Sequence, residues 1–265
     1  MEPQQPVFTV EPPGAPAPRP GRPSGGGFAG MIAAVVIVLA KFGGTFLSMF
    51  FMIWVYSLMF GWKFAAGIVA LIFVHEMGHF VAAMVLGIPV SAPIFIPFLG
   101  ASIIMKQNPR DAVTEALMAY AGPLAGGAGS WATLWAARTY DIDWLVPVAA
   151  VSFGINLFNL IPVPPLDGGR VCAAVSRWFW VLGLLLLGLA VVYFHAWSML
   201  IIGGLVFWMA FRRVRDDMRY RAQMGNYYRI PLLTRVVVGA FYVGLIGALF
   251  VGLTEASQVM PPLQQ

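Results

Sequence analysis

His75-Glu76-Met77-Gly78-His79 lies inside an apolar run, Phe64 to Val85, and that placement constrains the chain more than any other feature. On a helix, histidines four positions apart project to one face, close enough for their ring nitrogens to share one metal ion. Glu76 stands beside them, where a carboxylate can take a proton from a water that such an ion activates. The surrounding KFAAGIVALIFVHEMGHFVAAMVLGI is long and apolar enough to cross a bilayer. Ionisable groups at that depth cost about 2.5–3.5 kcal/mol each on insertion scales, so they mark function. The plain alternative is a polar pair hydrogen-bonded within a helical bundle. A third ligand elsewhere in the chain decides between the two.

Composition settles the setting. Of the 265 residues 60% are hydrophobic and 10% charged, with a mean hydropathy of +0.81, whereas soluble domains carry about a quarter charged residues. An all-α polytopic membrane protein is expected, a bundle of six or seven transmembrane helices. The apolar segments fall at 44–60, 62–86, 113–136, 144–163, 178–194, 197–211 and 233–253. Met31 to Ala40 either extends the first or lies along the interface, with Lys41-Phe42-Gly43-Gly44 as a plausible break. The segments at 178–194 and 197–211 are short enough to form one broken hairpin. Residues 1–27, rich in Pro and Gly, read as a disordered cytoplasmic tail and not a signal peptide. Residues 28–255 form the membrane domain, with a core at about 60–177, and 256–265 a short C-terminal tail. Cys172 is the sole cysteine, which excludes an intramolecular disulfide and a CxxC metal site.

Charge gives the orientation. Fourteen of the sixteen Lys and Arg fall on the N-terminal side or in the loops after the second, fourth and sixth segments; only Lys63 and Arg138 fall opposite. The positive-inside rule then puts the N-terminus in the cytoplasm of a cell (inner) membrane and the C-terminus outside. This distribution also explains the net charge of +5 without nucleic acid. FRRVRDDMRYR at 211–221 reads as a cytoplasmic anchor on anionic lipid. His195, in a predicted outside turn, reads as an interfacial residue.

Between the second and third segments lies GIPVSAPIFIPFLGASIIMKQNPRDA. Pro89, Pro93 and Pro97 exclude a helix, while Ile94, Phe95, Ile96, Ile103 and Ile104 favour extended structure. A short re-entrant β-hairpin or loop is expected, shielded by protein or a water-filled cavity. A strand edge there would hold a substrate extended, with Ile94 and Ile103 as contacts.

The third ligand follows the fourth segment, in Asn156-Leu157-Phe158-Asn159-Leu160-Ile161-Pro162-Val163-Pro164-Pro165-Leu166-Asp167-Gly168-Gly169. Prolines stop the helix and glycines let the chain turn sharply, so Asp167 can reach a metal held by a neighbouring helix. Two imidazoles, one carboxylate and one open position are the catalytic zinc arrangement. The depths agree: His75 and His79 lie 13 and 17 residues past Trp62, roughly 20 to 26 Å along a helix at 1.5 Å per residue. Asp167 follows a helix running the same way, so all three fall in the cytoplasmic half of the bilayer.

HEMGH followed by NLIPVPPLDGG resembles the site-2 protease family of intramembrane zinc metalloproteases, and the similarity extends from about Phe60 to Arg177. The resemblance implies one Zn²⁺ bound by His75, His79 and Asp167, with Glu76 as general base. Asn159, and after it Asn156, would donate to the developing oxyanion or orient Asp167. Many members carry an Asn shortly after Gly-Pro in the third core helix, where this chain reads Gly122-Pro123-Leu124-Ala125-Gly126. No room remains for a PDZ or CBS module. The implied activity is hydrolysis of peptide bonds within or near transmembrane segments of single-pass substrates. Partners would be that substrate, the lipid bilayer and a possible second copy of the chain, with no nucleic acid. A zinc transporter, or an inactive membrane scaffold, are the alternatives. The transporter needs a second polar site at membrane depth, which the last three segments do not offer, and an intact Glu76 argues against the scaffold.

Overall fold

A computed structural model describes residues 28–193 and 225–259, together with residues 204, 208, 211, 212, 215 and 216. The 1–27 tail, His195 and most of the 197–211 and 211–221 segments lie outside the described residues. The chain divides into two units between Lys41 and Phe42. Of the first, the described part is helical backbone from Phe28. The second carries everything below.

In chain order the elements are α1 (Phe28–Phe60), α2 (Trp62–Val85), β1 (Ile94–Ile96), β2 (Gly100–Ser102), α3 (Ala112–Thr139), α4 (Leu145–Asn159), α5 (Asp167–Val175), α6 (Phe179–Tyr193) and α7 (Leu232–Val259). Gly61, at φ 82°, separates α1 from α2. At the other end of α2, Gly87 takes φ 71° and its N–H reaches the Met84 carbonyl. That left-handed closure costs glycine nothing and ends the helix. The proline-rich stretch beyond it pairs with itself, as its residue types dictate. β1 and β2 are antiparallel, with Ile94 opposite Ser102 and Ile96 opposite Gly100, and a further bridge joins Val90 to Met105. At its tip Phe98 holds φ 68° and donates its N–H to the Tyr56 hydroxyl at 3.0 Å.

α3 starts at an N-cap, Asp111, whose carboxylate accepts the Thr114 N–H at 2.7 Å. Slight burial pushes the Asp111 carboxyl up, but the Thr114 donors outweigh it and hold it below its ordinary value. α4 ends at Asn159, ahead of Pro162. The chain then starts α5 at Asp167, where Asp-Gly-Gly by itself suggests a turn.

Three described helices are long and apolar enough to cross a membrane: Phe42–Phe60, Trp62–Val85 and Leu232–Val259. Leu145–Asn159 is apolar but shorter. α3 has the length, but its Ala, Gly, Ser and Thr make it less apolar. The expected six or seven spans therefore reduce, among the described residues, to three that meet both conditions.

α3 is the hub, packing on α2, α4, α5 and α7. Its Ala119 and Leu134 join Phe153 of α4, Val171 and Cys172 of α5, and Leu245 and Leu249 of α7 in one core. Trp131 meets Phe153 edge-on at 5.3 Å, and the absent side chain of Gly252 leaves space for the Phe153 ring. The hairpin rests on a second cluster, where Phe95 packs with Met52, Ile68, Val69 and Ile72. Phe153→Ala is expected to cost about 3–5 kcal/mol, read as a lowered melting temperature in detergent. An unchanged melting temperature would show that this core does not hold α3, α4 and α7 together.

Candidate metal centre

α2 buries His75 and Glu76, 5% and 7% exposed, on the side that faces its neighbours. The i, i+4 spacing brings the two imidazoles together, with ring centroids 4.8 Å apart. Close approach of α3 is possible because Gly78 has no side chain: a Cβ there would run into the Ala121 carbonyl and meet the Ala125 methyl at 2.8 Å. The Met118 carbonyl of α3 thereby reaches His79 Nδ1 at 2.8 Å. Gly122, one turn further on, leaves room for the His79 ring, which a Cβ there would overlap. From α4, the Asn156 amide oxygen meets His75 Nδ1 at 2.9 Å.

Asp167 arrives from α5. Gly168 lies against the Leu160 carbonyl and Gly169 against the backbone of Val163 and Pro164, with no room for a Cβ at either. This tight packing folds the first turn of α5 back onto the segment after α4. Asp167 Oδ2 then stands 3.3 Å from His75 Nε2 and 3.2 Å from His79 Nε2, and the two Nε2 atoms are 3.1 Å apart.

The hydrogen bonds decide what those three atoms are. A backbone carbonyl only accepts, so His79 Nδ1 must carry a proton, and in the neutral ring that leaves Nε2 its lone pair. The Asn156 oxygen imposes the same assignment on neutral His75. Two lone pairs and a carboxylate oxygen therefore face one another across about 3 Å. Ligands about 2.0–2.1 Å from a tetrahedral ion would stand roughly 3.3–3.4 Å from each other. The triangle has the size and donor set that fit one metal ion, zinc in particular. Among the described residues, His75, His79 and Asp167 form the one group of three such donors within reach of a common ion.

Residues 63–141 match the model of peptidase family M50. A 106-residue stretch is 29% identical to a curated zinc metalloprotease of Methanocaldococcus jannaschii, covering 38% of this chain and 30% of that protein. The archaeal match spans under a third of that protein's length, and the family-model match takes in the α2 residues His75 to His79.

The other residues singled out in the sequence fall in different places. Glu76 lies next to His75, buried, outside the converging trio. Asn156 reaches the site through His75, whereas the Asn159 amide, half-buried, donates to the Ile155 carbonyl of its own helix at 3.1 Å. Ile94 lies in β1, and Ile103 just past the end of β2. Sequence reasoning missed the Met118 carbonyl and the roles of Gly78, Gly122 and Gly126. The spacing of four between Gly122 and Gly126 was the available signal, marking one face of α3 stripped of side chains. Gly122→Ala should push the His79 ring aside and weaken zinc binding by about 10-fold or more, read by competition with a chromophoric chelator. Wild-type affinity would show that His79 needs no space from α3.

Proposed function

We propose that this chain is an intramembrane zinc metalloprotease, cutting peptide bonds within or near transmembrane segments of single-pass membrane proteins. The observation that carries the reading is the convergence of His75 Nε2, His79 Nε2 and Asp167 Oδ2 beside a buried Glu76. The archaeal relative, described as a zinc metalloprotease, supports it.

When bound, zinc supplies Lewis-acid chemistry, acidifying a water and polarising a scissile carbonyl. Glu76 takes the proton of the attacking water and later returns it to the leaving amine. Its burial keeps bulk water from competing for that proton. Asn159 spends one amide hydrogen on Ile155 and has a second to offer a developing oxyanion. Asp167 offsets half the charge of the ion in a poor solvent for ions.

In this reading α1, α2 and α7 cross the membrane, the N-terminus is cytoplasmic, and the site lies in the cytoplasmic half of the bilayer. The asymmetry of Lys and Arg supports that orientation. A helical substrate must unwind to be cut, and the hairpin gives it an edge. The outer edge of β1 is engaged by α1: Thr45 donates to the Pro93 carbonyl at 2.7 Å, and the Phe95 N–H donates to Ser48 at 3.1 Å. Because Phe95 turns its N–H away from β2, its partner Ala101 also turns its polar groups outward. Ile104 exchanges hydrogen bonds with Ser91 on the inner side, so Ile103 faces outward too. Ala101 and Ile103 thus present the edge on which a substrate strand adds.

Two measurements test the reading. Purified Glu76→Gln should retain one zinc per chain and lose cleavage of a membrane-embedded substrate by at least about 100-fold; cleavage at the wild-type rate would refute the general-base role. Ile103→Pro removes an outward N–H and should reduce cleavage with zinc content intact, and unchanged cleavage would remove the edge from the account.

A further inference from the structure

We propose that Asn156 is a positioning residue that dictates which nitrogen of His75 faces the metal, a role that rests on the metalloprotease reading of the same site. The two imidazoles are held by different kinds of partner. His79 Nδ1 is fixed by the Met118 backbone carbonyl, which no substitution removes. His75 Nδ1 depends on a single side chain, the Asn156 amide.

An amide can face either way, so something must choose its oxygen for His75. The Ser152 carbonyl does so, accepting from Asn156 Nδ2 at 2.8 Å. Turning the amide over would set Oδ1 against that carbonyl, two acceptors with no proton between them. Ser152 is itself tied across to α3: its hydroxyl and that of Ser130 are hydrogen-bonded at 2.7 Å, and the Ser130 oxygen lies 2.8 Å from the Gly126 carbonyl, one turn earlier on its own helix, so the two hydroxyls share both bonds. Ser130, Ser152 and Asn156 are 0%, 2% and 1% exposed, so no bulk water offers substitute bonds.

Space completes the device. Gly126 lies against the Asn156 amide, and a Cβ on Gly126 would stand 2.9 Å from Nδ2 and overlap Oδ1. The bare backbone of α3 on one side and Ser152 on the other leave the amide one orientation. His75 is held with Nδ1 protonated and Nε2 turned to the metal. A second partner of this kind makes a ligand more basic and fixes its ring, and its loss commonly weakens metal binding about 10- to 100-fold.

The test compares Asn156→Leu, Asn156→Asp and Gly126→Ala in the full chain. Zinc affinity is measured by chelator competition, and the histidine ring nitrogens by ¹⁵N NMR with zinc in excess, His195 being assigned through His195→Gln. Asn156→Leu removes the acceptor and should weaken zinc binding about 10- to 100-fold. The His75 nitrogen signals should move while those of His79 stay. Asn156→Asp, buried with its carboxyl proton donated to the Ser152 carbonyl in place of the Nδ2 hydrogen, keeps an oxygen facing Nδ1 and should hold zinc within about threefold of wild type. Gly126→Ala, which leaves Asn156 in the chain but displaces its amide, should act in the direction of Asn156→Leu and carries the test if the leucine variant does not fold. Wild-type affinity in Asn156→Leu or Gly126→Ala, an equal loss in Asn156→Asp, or equal movement of the His79 signals overturns the role while leaving the metalloprotease reading standing. A wild-type protein that binds no zinc overturns both.

Discussion

Three electron-rich atoms with no proton of their own, two imidazole nitrogens and one carboxylate oxygen, face each other over about 3 Å in a poorly hydrated interior. With both rings neutral they repel. A divalent ion between them would replace that repulsion with attraction to all three. Much of the structure around the site consists of what is needed to keep the three atoms aimed: backbone and amide oxygens that accept from the far side of each imidazole, and a short helix that delivers the carboxylate.

That requirement explains the character of α3. A helix rich in bulky apolar residues would pack against lipid or core, but it could not approach α2 and α4 closely enough to hold His79 and Asn156 in place. Gly78 on α2 and Gly122 and Gly126 on α3 remove side chains at the contacts where helices, a ring and an amide meet. The cost appears in apolarity: α3 has the length of a span without the hydropathy of one. Its stability then comes from neighbours on several sides, through the core built on Phe153, Leu134 and Leu249.

Much of this was legible in the residues. The i, i+4 histidines and the apolar run point to α2 and to two of the three converging side chains, and prolines at 89, 93 and 97 to the hairpin. The break after Asn159 points to Asp167, the third of them. Legibility ended where the answer depended on a neighbour. Asn156 and Asn159 lie three apart on one helix, and which of them reaches His75 follows from the rotation of α4 against α2. α5 escaped notice because Asp-Gly-Gly reads as a turn, and only packing against the Leu160–Pro164 backbone makes it the start of a helix. The open edge of the hairpin is likewise set by α1, through Thr45 and Ser48, and not by the hairpin's own pattern.

The central claim is that one ion joins α2 to α5 through these three atoms. Anomalous diffraction at the zinc edge, from crystals of the full chain grown with zinc, tests it most directly. The account predicts a single strong peak about 2.0–2.1 Å from His75 Nε2, His79 Nε2 and an Asp167 oxygen. A fully loaded crystal with no peak there, or with Asp167 turned away from both imidazoles, would contradict it.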